Sequence, residues 1–135
     1  MRGSVQGPQA STVIRMSGCD SPVAGVTPAE IVDRQWRAYN ARDIDAYCAL
    51  FDPQAIISRL NDGKEIARGA DAIRRFYSER FKNPELHCEI KMRTVLGRFV
   101  IDHEQVTGIV EGILEVVAIY EVREERIQSI RILWA

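Results

Sequence analysis

The hydrophobic pattern changes its period near residue 85, and that change restricts the fold more than any motif does. Past it, Leu86, Cys88, Ile90, Met92 and Thr94 alternate with His87, Glu89, Lys91 and Arg93. Alternation of this kind predicts a strand with one buried face. Three more strands are predicted over 98–107, 113–123 and 126–134, separated by Gly97, by the stretch 108–112 and by Glu124-Glu125. Before the change the period is helical. Helices first and a meander of strands afterwards predict an α+β domain with an antiparallel sheet.

The helical half has readable ends. Thr27 suits an N-cap, Pro28 the first helical position, and Glu30 completes a capping box before the stripe Ile31, Val32, Trp36 and Tyr39. Asp43 can cap a short second helix reaching about residue 49, with Ile44, Tyr47, Cys48 and Phe51 turned inward. Asp52-Pro53 should end it. Residues 55–60 read as a strand, Asn61-Asp62-Gly63 as a turn, and 70–81 as a third helix stopped by Asn83-Pro84. Residues 27–135 thus form one domain. Residues 1–26, rich in Gly, Ser, Pro and Gln, read as a flexible arm. Met1-Arg2-Gly3-Ser4 also resembles a vector-derived leader, and Met16 is an alternative start.

Composition excludes several function classes. The formal net charge is -1 and no Lys/Arg run is present, which disfavours nucleic-acid and membrane partners. Cys19, Cys48 and Cys88 are odd in number and form no CxxC, so neither a disulfide framework nor zinc is expected. Reduced thiols point to a cytoplasmic protein. Two distant histidines make no metal site, and no dinucleotide, nucleotide or serine-hydrolase motif appears, so no cofactor is expected.

Three segments carry a family resemblance. QWRAYNARDIDAYCALFDPQA (35–55), GADAIRRFY (69–77) and VAIYEVREERIQSIRIL (117–133) resemble the first helical hairpin, third helix and closing hairpin of the nuclear transport factor 2-like (SnoaL-like) superfamily. VIDHEQVTG (100–108) is similar to bacterial members known only as steroid isomerase-like. The resemblance implies a cystatin-like cone, in which three N-terminal helices pack on a curved, mixed, mostly antiparallel sheet around a cavity. It also implies a homodimer through the convex face. Relatives include ketosteroid isomerases, polyketide cyclases, epoxide hydrolases, dehydratases and non-catalytic carriers. The three positions that carry steroid-isomerase chemistry fall on Gln35, Arg59 and Ala118 here, so that mechanism does not transfer.

What remains is a set of candidates. His103 shares a strand face with Phe99, Ile101, Gln105 and Thr107, which the resemblance makes the cavity face, and it could act as general base or proton shuttle. A shift of one residue in register would instead turn Asp102 and Glu104 inward. Gln35 is either a core amide satisfied by a neighbour or a ligand-orienting one. Arg59 could polarise a ligand oxygen from inside or sit in a rim ion pair. Tyr39, Phe76, Tyr120 and Trp134, with Gln105, complete the expected ligand wall. The expected partner is a small hydrophobic or amphipathic molecule. Cofactor-independent isomerisation, cyclisation or hydration is one reading; a carrier, a sensor or a dimerising scaffold is the other.

Overall fold

The computed structural model describes residues 25–135, so nearly all of the 1–26 arm lies outside the described residues. Three helices come first among them: α1 (Pro28–Ala41), α2 (Ile44–Cys48) and α3 (Ala70–Arg80). The strands are β1 (Phe51–Arg59), β2 (Glu65–Arg68), β3 (His87–Leu96), β4 (Phe99–Thr107), β5 (Ile113–Arg123) and β6 (Arg126–Trp134). They form one open sheet in the order β2-β1-β6-β5-β4-β3. Only the β1–β6 pair is parallel; the other neighbours are antiparallel.

Local chemistry explains the ends of the helices. The Glu30 amide donates to Thr27 Oγ1 at 3.2 Å, and the Thr27 amide donates to Glu30 Oε1 at 2.9 Å. Such a box satisfies two of the amides a helix start leaves without partners. Asp43 Oδ1 accepts from the Ala46 amide at 3.1 Å and starts α2. Asn40 then ties α1 to the sheet, exchanging two hydrogen bonds of 2.8 and 2.9 Å with the Cys88 backbone, where Trp36 Nε1 also donates to the carbonyl. Val26 packs against the core and its amide donates to Glu125 Oε2.

Three features depart from the pattern read in the sequence. β1 begins at Phe51, not at 55, and carries Pro53 inside it. The β1–β6 register breaks between Phe51 and Ile56, and proline needs such a gap because it has no amide to donate. β2, a short edge strand over Glu65–Arg68, was not foreseen; four residues are too few to show a period. In β3 the alternation reverses at a bulge between Ile90 and Met92. Cys88 is buried, but Met92 is 66% exposed and Arg93 takes the inward place. An extra residue on one strand has this effect.

Gly108, just after β4, has φ 93°, and a Cβ built there would lie 2.7 Å from backbone atoms of Glu85 and Leu86. Gly108→Ala should therefore destabilise the domain by more than about 2 kcal/mol, from left-handed strain and an immovable contact together. Urea unfolding midpoints check this.

Candidate functional site

All three helices border a cavity of about 380 Å³ against the inner sheet face. Ligand sites span roughly 300–1,000 Å³, so this one can hold a compact organic molecule. Its wall is mostly apolar: Ile57, Ile66, Val106, Leu114, Val116 and Ile132 come from the sheet and its loops. Aromatic rings close the helical side. Tyr47, fully buried on α2, stacks at 4.6 Å from Tyr77 and 5.3 Å from Phe81, and Tyr39 lies 5.5 Å from Phe81. Edge and tilted arrangements of this kind keep a wall rigid.

Among the described residues, one carboxyl stands in that wall. Glu104 projects from β4, 7% exposed, and Tyr120 Oη donates to its Oε2 at 3.1 Å. Burial, and then the Asp102 charge beside it, push the Glu104 carboxyl up to about 7, while the Tyr120 hydrogen bond pulls it down. A carboxyl that titrates near neutrality can both accept and return a proton. Tyr39 and Tyr77 are raised by desolvation and stay hydroxyl donors on the same wall. Burial also pushes the Cys88 thiol far up, which leaves it a weak nucleophile.

Of the residues expected from sequence, Gln35, Tyr39, Phe76, Tyr120 and Trp134 line this cavity. Gln35 Nε2 donates to Tyr47 Oη at 3.1 Å, so its amide is partly satisfied within the core. His103 and Gln105 do not reach the cavity. They stand on the opposite face of β4, where His103 Nε2 meets Glu115 Oε1 at 2.7 Å and Gln105 Nε2 donates to Glu115 Oε2 at 2.7 Å. Those two contacts, His103 first, hold the Glu115 carboxyl below its usual range. The His103 side chain is 48% exposed, so the inward assignment is corrected. The inward residues of β4 are Val100, Asp102, Glu104 and Val106.

The physical reason lies one strand away. Leu96 pairs with Phe99 across a two-residue turn, which sets Arg93 opposite Asp102. Arg93 Nε and Nη2 donate to the two Asp102 carboxylate oxygens at 2.7 and 2.8 Å, and Nη1 lies 3.7 Å from Asp33 on α1. The fork neutralises a carboxylate that is only 1% exposed and makes the acidic face the buried one. The Gly97 turn and the Arg93/Asp102 pairing were the signals in the sequence that could have identified Glu104.

Of the two places open to Arg59, the structure has the rim one, and it does not join the ligand wall. At the end of β1 its Nε lies 3.5 Å from Asp62, and its guanidinium sits 5.2 Å from the Trp134 ring centroid. It is not among the cavity-lining residues and instead backs Trp134 at the rim. Ala118 is buried in the wall and offers no proton. Among the described residues no cluster of His, Cys, Asp and Glu could hold a metal ion, and no helix is long and apolar enough to cross a membrane.

Solved structures share this architecture. An uncharacterised cystatin-fold protein from Novosphingobium aromaticivorans superposes with TM-score 0.74 at 24% identity, covering 82% of this chain and 99% of its own. A proposed ketosteroid isomerase from Kribbella flavida gives TM-score 0.70 at 14% identity, over 80% of this chain and 77% of its own. A proposed polyketide cyclase from Sinorhizobium meliloti gives 0.67 at 24% identity, over 76% and 93%. At these identities the likeness shows the nuclear transport factor 2-like, cystatin-like fold and does not extend to an activity. No curated protein matches the chain. The SnoaL-like domain profile matches residues 32–130, which run from the first buried turn of α1 to Ile130 on the cavity wall, and the chain therefore belongs to the SnoaL-like family.

Proposed function

We propose that the domain binds a small hydrophobic molecule and moves a proton on it without a cofactor, with Glu104 as the proton carrier. The observation that carries this reading is one ionisable carboxyl, poised near neutrality, in the wall of an otherwise apolar and aromatic cavity. Tyr120 orients the carboxyl, and the hydroxyls of Tyr39 and Tyr77 are donors for a ligand oxygen on which charge develops. Gln35, Phe76 and Trp134 shape the ligand site. The reading includes a homodimer formed through the outer sheet face, where Met92, Ile113 and Leu133 are exposed. Free Cys48 and Cys88 suit a reducing cytoplasm.

A flat ketone with acidic α-hydrogens tests it. Exchange of the β-tetralone α-protons in D2O, followed by NMR, should run faster with the protein than in buffer. Glu104→Gln should lower the enzymatic rate at least about a hundredfold, a usual share for a general base. His103→Ala should leave it within about twofold, because the imidazole faces away from the cavity. Binding without exchange would instead identify a carrier. Loss of exchange in His103→Ala with retention in Glu104→Gln would refute the assignment.

A further inference from the structure

Arg80 is the only cationic side chain lining the cavity among the described residues. It occupies the last turn of α3, half-buried. Its guanidinium lies 4.8 Å from the Phe76 ring centroid, and Tyr39 stands on the same cavity wall. Of the other cations on or just after α3, Arg74 pairs with Asp45 at 3.0 Å and Lys82 with Glu79 at 2.8 Å, while Arg75 is not among the cavity-lining residues. Among the described residues Arg80 has no carboxylate within ion-pair distance. Glu104, the only carboxyl in the cavity wall among the described residues, is bonded to Tyr120 instead.

A guanidinium over an aromatic ring in the wall of an apolar cavity is a receptor for a planar anion. A favourable position near the negative end of the α3 dipole accounts for a cation there, but not for its place in the cavity wall. We infer that the cavity takes an amphipathic carboxylate, its aromatic or alicyclic body among the apolar wall residues and its carboxylate on Arg80. The inference rests on the ligand-binding reading and narrows it to a substrate class. It also separates the two ends of the site. Arg80 holds a charge that does not react, and Glu104 meets the remainder of the ligand from β4.

Calorimetry with naphthylacetate and naphthylacetamide, which differ little except in charge, tests the inference. At neutral pH the carboxylate should bind about tenfold more tightly than the amide, equivalent to one well-placed ion pair. Arg80→Met should remove that preference while leaving amide binding in place. Arg80→Lys should restore part of it, since a lysine keeps the charge but loses the fork. A role confined to the helix end would lower both affinities together or neither. Equal binding of the two compounds to the wild type, or a preference that survives Arg80→Met, overturns the inference alone. Failure of both compounds to bind overturns it together with the pocket reading.

Discussion

Arg93→Met should lower the stability of the domain by about 3–5 kcal/mol, the range seen when one partner of a buried ion pair is removed. The size follows from Asp102, which is 1% exposed and receives both arms of the Arg93 fork. Methionine fills much of the same volume but leaves a buried carboxylate without its counter-charge. The β3 bulge adds to the effect, because the inward place it creates after Met92 is occupied by Arg93. Removing Arg74 from its exposed contact with Asp45 should have little effect by comparison. Urea unfolding at neutral pH measures the difference. Pairing Arg93→Met with Asp102→Leu should recover most of the loss, since two apolar residues need no compensation. A single variant within about 1 kcal/mol of wild type would show that the fork is not a structural tie.

That ion pair also marks where the sequence became hard to read. The element order, the Thr27 cap and the short Asp43-capped helix are local features, and hydrogen bonds within a few residues determine them. The face of β4 is not local. Phe99 and Ile101 on one side, and Val100 and Val106 on the other, give both faces apolar character, so alternation alone cannot say which is inside. Cross-strand pairing resolves it, through Arg93 opposite Asp102 and Tyr120 reaching Glu104. Those partners lie 9 and 16 residues away along the chain. The outer face satisfies its own polar groups, with His103 and Gln105 sharing Glu115, so a histidine on a half-apolar strand was no guide to the cavity. Tyr39, Phe76 and Trp134 were easier to place, because large rings in this fold have few positions other than the core, the cavity wall or its rim.

Glu104→Gln should stabilise the domain at alkaline pH and change how its stability depends on pH. In the unfolded chain this carboxyl titrates near 4.5, and in the folded domain near 7. Between those values the folded state holds the extra proton. Stability therefore falls as pH rises from about 4.5 to about 7, and by about 3 kcal/mol in all from this group. Burial sets the direction and the like charge of Asp102 on β4 adds to it; the hydrogen bonds from Tyr120 on β5 and Cys88 on β3, and Arg93, which is committed to Asp102, pull the other way by less. Glutamine keeps an acceptor for Tyr120 and never ionises. The variant should therefore match wild type near pH 4.5 and melt several degrees higher above about pH 8, as the sign of the linkage requires. Thermal melts across that range give the result directly. Parallel curves for the two proteins would mean that Glu104 does not hold a proton near neutrality, and the proposed proton transfer would then lose its carrier. Diverging curves would mean that the folded domain gives up stability to keep an ionisable carboxyl in an apolar wall, where a neutral amide at the same position would be more stable.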